Sequence, residues 1–585
     1  MRGAGVLSTL WGGGAAVADP RGGSRGRLLA AHRVVFAVLV VLALVTGYAG
    51  FAAYLHGNAR FGHSPLDLLY DDLQLFVLGP FPLQDGGTGP LPVTLQVARF
   101  AAPLVTVYAF VEASRLFLAA EVQRWRTQRA SGHVVVCGSG ATALALTRRF
   151  TELGARVVSI HQGPAPVRKF AVTGDARLPE TLRAAGVHRA TALYACTDDT
   201  ATNTVIALAA RRMARDSGTG LAVYALATDP DLCLALQARN LGQPRSAGGR
   251  IEFFNVDELG ARKLFDDPPP AAGPPHTLVI GASSFGRAVV VEQARRWRAS
   301  RPGPEVPSVT LVDENATEAL ADITQRYPFV ADVCRLRPHD EGLAGLRTGP
   351  AGDRPPTMVV VCLDDEEASL RTALTVDRLW HGGPGSLVVR LERLSSLRDA
   401  FDGSAGDPLL DQMAGVLRLF GVVEAACDPG LIREDVTERL ARVVHDRYRM
   451  ARLRRGESVE NNPSMVDWGR LPVTQRDSCR TQAEDIGRKL RAIGCTLAPR
   501  GGPGDDHQLA EHTVELLAEM EHERWLAERT EAGWRFAEQR ADEQRQHPDI
   551  VAWERLSTVA RDKNRDAMRE LTDIVADAGF RIVQL

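Results

Sequence analysis

Lysine is almost missing from this chain. Of 69 basic residues only Lys169, Lys263, Lys489 and Lys563 are lysines. None follows a glycine, so no G-K-[ST] phosphate loop can be written. The residues four before them are Ala165, Leu259, Asp485 and Val559, which excludes a Tyr-x-x-x-Lys reductase pair. Paired cysteines are lacking too: the eight are scattered without a C-x-x-C, so neither a zinc knuckle nor a redox dithiol is spelled out. Several sit in apolar runs such as V-V-V-C and read as buried thiols in a reducing compartment. A net charge of −2 gives no electrostatic case for nucleic acid, and no metal-ligand spacing occurs. At 585 residues the chain exceeds one hydrophobic core, so several domains are expected.

What is present first is apolar. Residues 1–33 form a basic, Gly- and Arg-rich N-terminus expected to be disordered. Val34 to Leu55 carries no charge and is long enough for a helix to cross a bilayer. A second run, Leu91 to Val111, is broken only by Arg99 near one end. Arg21, Arg25, Arg27 and Arg33 precede the first run, and Arg115, Arg124, Arg126 and Arg129 follow the second. The loop between holds Arg60 against Asp67, Asp71, Asp72 and Asp85. Basic flanks stay cytoplasmic, so residues 34–115 are expected to span the plasma membrane twice, with both termini inside. Two helices around the apolar stretch Leu66–Leu78 resemble the layout of a two-span potassium channel. The filter does not: between Gly62 and Pro92 nothing like T-V-G-Y-G occurs. A plain two-helix anchor is the alternative.

After the membrane region, His133-Val-Val-Val-Cys-Gly138-Ser-Gly140-Ala-Thr-Ala143 reads as strand, G-x-G-x-x-A turn and helix, with a second strand from Arg156 to Ile160. V-T-G-D-A (Val172–Ala176) and L-Y-A-C-T-D-D-T (Leu193–Thr200) follow in order. Residues 132–265 thereby resemble the TrkA-N family of potassium-uptake and RCK-gated channel regulators. That resemblance implies a Rossmann-like fold, with Gly138 and Gly140 holding dinucleotide phosphates, Ala143 closing the motif, and Asp175 near the adenosine. The second strand ends Ile160-His161-Gln162, without the carboxylate that grips ribose hydroxyls. NAD, another adenine nucleotide or an empty fold therefore all stay open.

The pattern then recurs over 276–430, after the proline-rich linker Asp266–Pro275. His276-Thr-Leu-Val-Ile-Gly281-Ala-Ser-Ser-Phe-Gly286 repeats strand, turn and helix, and V-V-V-C-L-D-D-E-E-A-S-L-R-T-A-L (Val359–Leu374) echoes Ala192–Leu208. This half has an acid after its second strand, Asp313, a further cofactor-binding candidate, but Ser283 stands where the central glycine belongs. It reads as a degenerate partner, and Ile251–Arg262 as an interface strand and helix.

Residues 435–585 repeat once more. His445-x-x-Tyr448 and His522-x-x-Trp525 are each followed at equal distance by Gly456 and Gly533. Trp468, Leu471, Arg476, Asp477 and Arg480 then match Trp553, Leu556, Arg561, Asp562 and Arg565 in spacing. The second copy closely resembles the RyR repeat of ryanodine receptors and of bacterial membrane and defence proteins. Helices are expected over His522–Ala532 and Asp562–Ala576. Tryptophans beside arginines can stack a base and hold a phosphate, so His522, Trp525, Trp553, Arg561 and Arg565 are ligand candidates; a helical core braced by ion pairs is the plainer reading.

The expected whole is multidomain: a two-helix transmembrane segment, tandem α/β Rossmann-like halves and a mainly α RyR pair. The resemblances imply a channel-like or transport-regulating membrane protein, for potassium or another cation, gated by a nucleotide. It is expected to lie in the lipid bilayer as a homo-oligomer, dimer or tetramer, with no catalytic residue and no nucleic-acid partner. A non-conducting, membrane-tethered nucleotide sensor is the alternative.

Overall fold

In the computed structural model the described residues are 23–56, 64–77, 91–128, 130–163, 170–241, 250–266, 274–300, 305–343, 355–380, 382–392, 416–434, 436–501 and 507–585. The N-terminal segment 1–22, the stretch 78–90 and most of the proline-rich linker lie outside them. The chain divides into two compact units, residues 1–124 and 125–585.

In the first unit, helices Gly23–Leu55 and Val93–Gln128 carry the two apolar stretches, and Pro65–Leu75 forms a short helix between them. Among the described residues the helical segments long and apolar enough to cross a membrane are Phe36–Leu55 and Val93–Ser114. The first helix begins at Gly23, so residues 23–33 are helical rather than disordered. The helix formers Leu28-Leu29-Ala30-Ala31 let the apolar helix propagate backwards, since extension is cheap once a nucleus exists. Ser64 and Asp67 form a reciprocal capping box that starts the short helix. Phe51, Leu55, Leu68, Leu75, Leu95, Ala98 and Ala102 make the buried core of this unit.

The second unit holds two parallel six-stranded sheets. Strands β1 (Val134–Cys137), β2 (Val157–His161), β3 (Ala171–Thr173), β4 (Ala192–Ala195), β5 (Ala222–Leu226) and β6 (Ile251–Phe254) lie in the order β3-β2-β1-β4-β5-β6. Strands β7 (His276–Ile280), β8 (Ser308–Val312), β9 (Arg335–His339), β10 (Met358–Val361), β11 (Leu387–Leu391) and β12 (Leu417–Gly421) repeat that order as β9-β8-β7-β10-β11-β12. This is the doubly wound arrangement, in which the chain reverses direction beside the first strand of each half and opens a crevice at the strand ends. β1 is buried at every position, as a central parallel strand covered on both faces must be.

The halves exchange their last helices. Helix Val256–Leu264, after β6, contributes Ala261 and Leu264 to a core with Val279, Phe285 and Val289 of the second half. Val423, Ala426 and Cys427, after β12, return to a core with Val136, Ala143 and Leu146 of the first. Where the exchanged helices meet, a Cβ on Gly260 would come within 2.7 Å of Val422 Cγ1, so only glycine permits this approach.

The C-terminal module is two copies of one plan. Helices Val436–Arg454 and Glu511–Glu531 open the copies. Single-turn helices at Trp468 and Trp553 follow, then helices Val473–Ala492 and Thr558–Arg569. Each copy ends in a strand, and these pair antiparallel from Cys495↔Gln584 to Pro499↔Phe580. The helix expected over 562–576 divides at Glu570, where Leu571–Asp577 begins a new turn. The module core is shared: Leu234, Ala238 and Leu241 of the first nucleotide-fold half pack with Leu440, Leu497 and Ile582. Arg298 of the second half and Arg447 both donate to the buried Asp577, at 2.7 and 2.6 Å.

Candidate functional site: the two glycine turns and the RyR pair

In the first half, Gly138 ends β1 at φ +127°, and a Cβ there would lie 2.3 Å from the Cys196 carbonyl oxygen. Its glycine is thus required by the approach of the β4 end, with or without a ligand. Gly140 caps helix Ala141–Glu152 without any side-chain bond, leaving the N-terminal amides of that helix unblocked by a cap. A Cβ on Gly140 would meet Asp198 Oδ1 at 2.5 Å. Ala143 is buried against the sheet and packs rather than faces the crevice.

Asp175 lies at the rim, forked onto Arg177 with Nε at 3.1 and 3.0 Å and Nη2 at 2.7 Å. Hydrogen bonds from Arg177 hold its carboxyl below the usual range. Asp199 caps helix Thr200–Ser217 through the Thr202 amide at 2.7 Å, and the Thr202 hydroxyl and amide together hold its carboxyl below the usual range. The wholly buried Asn203 ties the ends of β4 and β5 together: it accepts from the Thr197 amide at 2.8 Å and donates to the Leu226 carbonyl at 2.9 Å. His161 occupies the register position that Asp313 holds in the second half. The Gly138 amide meets Ile160 just as the Gly281 amide meets Val312. His161 is 7% exposed, and its Nε2 has no partner.

The second turn is closed by its own side chains. Asp313 Oδ2 accepts from the Ala282 amide at 2.8 Å, and Oδ1 from the Asn315 amide at 3.0 Å. Ser283 Oγ donates to the Cys362 carbonyl at 2.7 Å and accepts from the Gly286 amide at 3.3 Å. Amides that a phosphate would use are thereby engaged, and the structure places Asp313 as a brace of its own turn.

The RyR copies share a four-residue brace. In the first copy Glu438 accepts from Trp468 Nε1 at 3.1 Å and from Arg480 Nε at 2.6 Å, while Arg480 Nη1 reaches Asp477 at 2.7 Å. In the second, Glu515 accepts from Arg565 Nε at 2.6 Å and Nη2 at 3.0 Å and from the Trp553 side chain, and Arg565 Nη1 reaches Asp562 at 2.7 Å. His445 and His522 donate through Nε2 to the Val466 and Val551 carbonyls at 2.8 and 2.7 Å. Burial would raise Glu438; the Arg480 guanidinium outweighs it and holds the carboxyl low. Trp553, Arg565 and His522 are therefore held by internal bonds, and Arg561 keeps a buried Nε without a partner, as does Arg476 in the first copy.

Trp525 stacks on His522, ring centroids 5.9 Å apart, and through His522 it neighbours Trp553. The Trp525 ring lies 5.2 Å from His547, and the Arg529 guanidinium sits 5.8 Å from Trp525 and 5.0 Å from Trp534. Trp534 and His547 complete a half-exposed aromatic platform that sequence reading missed. Arg529 follows Trp525 by one helical turn, and Trp534 follows the left-handed Gly533, so the spacing was there to find. Among the described residues no three His, Cys, Asp or Glu side chains gather as a metal site.

The class these features define is a pair of dinucleotide-type halves carrying a duplicated helical module. Residues 134–242 match the family model of the TrkA-N domain, and residues 507–584 that of the RyR domain. The chain thus carries both domains. Among solved structures it is similar to "GsuK channel bound to NAD", at 12% identity over 85% of this chain and 91% of that one, with a TM-score of 0.33. It is also similar to "Crystal structure of the GsuK bound to ADP", at 15% identity over 70% and 98%, with a TM-score of 0.32. The whole-chain superpositions are loose, and the fold rests on the strand order and the two domain matches.

Proposed function

We propose that this chain is a regulator of cation movement across a membrane, potassium or another cation, that responds to an adenine nucleotide seated in its first nucleotide-fold half. One contrast carries the reading: the Gly140 turn leaves its helix N-terminus without a side-chain cap, whereas the Ala282 amide of the second turn is already bonded to Asp313. The TrkA-N match falls on the open half. The two apolar helices would cross the plasma membrane with both termini inside, in a homodimer or homotetramer. The chain acts by binding rather than by catalysis. A nucleotide regulates only by favouring one arrangement of the paired halves over another, so its affinity must differ between the two states.

The second reading, a membrane-tethered nucleotide sensor without conduction, is favoured by the missing T-V-G-Y-G and by the platform of Trp525, Trp534, His547 and Arg529. Cation flux into liposomes holding the purified chain separates the two. ADP and NAD, named in the descriptions of the similar structures, are the nucleotides to add first. Nucleotide-dependent flux supports the regulator; tight binding without flux selects the sensor. Cysteines placed at 64–85 should label from outside and one near 125 only after permeabilisation.

A further inference from the structure

The short helix between the apolar helices buries a carboxyl group that nothing satisfies. Asp72 is 0% exposed, and neither of its oxygens has a hydrogen-bond partner. It projects at Gly47 of the first apolar helix, where a Cβ would lie only 1.8 Å from Oδ1. Gly47 is thus a hollow that the carboxyl fills, flanked by Leu75. Among the described side chains of the two long helices the titratable groups are Tyr48, Tyr54, Arg99, Tyr108 and Glu112, with His56 just past the first helix, and none of them bonds to Asp72. Arg99 is exposed, with its guanidinium over Phe100. On its own helix Asp67 is spent on the cap with Ser64, and Asp71 is partly exposed.

An ionised carboxylate without water, cation or donor costs far more than a neutral acid in the same place. The burial arises within one chain, so further copies could cover Asp72 more but could not reach its oxygens without moving the helix. We propose that Asp72 is a proton-binding site of the apolar unit, neutral when Pro65–Leu75 is seated against Gly47, and that loss of its proton unseats that helix. The ligand is a proton, and the inference stands apart from the nucleotide reading. The sign follows from the burial: the seated form binds one proton more than the unseated form, so seating is strongest at low pH and is lost as pH rises.

The test is dicyclohexylcarbodiimide labelling of the full-length chain in liposomes at pH 5.5 and 8.5, read by peptide mass spectrometry. The reagent adds to protonated carboxyls in apolar surroundings. Asp72 should carry the adduct, several-fold more at the lower pH, while Asp67 does not. In parallel, amide exchange across 65–75 should quicken as pH rises, after correction for intrinsic chemistry. Asp72→Asn, which keeps the shape without the proton, should show slow exchange at both values. No adduct at Asp72, equal labelling of Asp67, or corrected exchange in the parent chain indifferent to pH would each overturn the proposal. The parent-chain readings decide even if Asp72→Asn does not fold.

Discussion

Lys489 is one of four lysines, and its side chain is 1% exposed. It pairs with Glu521 across the two RyR copies and with Asp485 at 3.2 Å on its own helix. Glu521 also accepts from Arg524, at 2.7 and 3.1 Å, and Arg524 reaches Glu528 at 2.6 Å. Burial would raise the Glu521 carboxyl, but Lys489 and Arg524 outweigh it and hold it low. Lys489→Met should therefore destabilise the module. Removing one member of a buried pair costs roughly 3–5 kcal/mol, and the surviving Arg524 fork argues for about 3. With a urea slope of roughly 1.5–3 kcal/mol/M that lowers the midpoint by about 1–2 M. Tryptophan fluorescence reads it, because Trp468, Trp525, Trp534 and Trp553 all lie in this module. Lys489→Met with Glu521→Met should recover most of the loss, since the uncompensated charge is gone. A Lys489→Met midpoint at or above that of the parent would refute the reasoning. The pH sign is also set: a carboxyl held below its ordinary value stabilises above that value and loses the contribution as pH falls. Glu521→Gln should therefore flatten the acid limb of the stability profile.

Two pairs of comparisons separate brace from platform and turn from seat. Arg480→Gln and Arg565→Gln should each lower the melting temperature of the full chain by a similar amount, because the same fork is cut in each copy. Trp525→Ala and Trp534→Ala should leave melting nearly unchanged while weakening any base-stacking ligand roughly five-fold, the low end of a stacking contact. Gly138→Ala should impair folding of the first half outright, because its Cβ meets a backbone carbonyl at 2.3 Å. Gly140→Ala meets only the exposed Asp198 carboxylate, which can turn away, and should melt like the parent.

Sequence reading reached the duplicated halves and the RyR pair because each repeat keeps several anchors at fixed spacing, from His445 and His522 to Arg480 and Arg565. It also found the missing carboxylate at His161. The closure of the second turn by Asp313 was out of reach, since the Ala282 amide becomes its partner only through the register of β7 against β8. The division at Glu570 was hidden because both flanking segments keep helical spacing. Nor does spacing reveal that Leu234 and Ala238, some two hundred residues upstream, belong to the RyR core. A fragment cut at 435 would expose that face, so ligand binding by the module is best measured on the whole chain.

An asymmetry separates the two turns: one is open to phosphate, the other closed by its own acid. Calorimetric titration of ADP and of NAD into the full-length chain, with Gly140→Asp and Ser283→Asp as paired variants, tests it most directly. The parent should bind, Gly140→Asp should lose binding because its carboxylate would crowd and repel the phosphate, and Ser283→Asp should retain it. Binding that survives Gly140→Asp and disappears in Ser283→Asp would contradict that asymmetry and place the nucleotide in the other half.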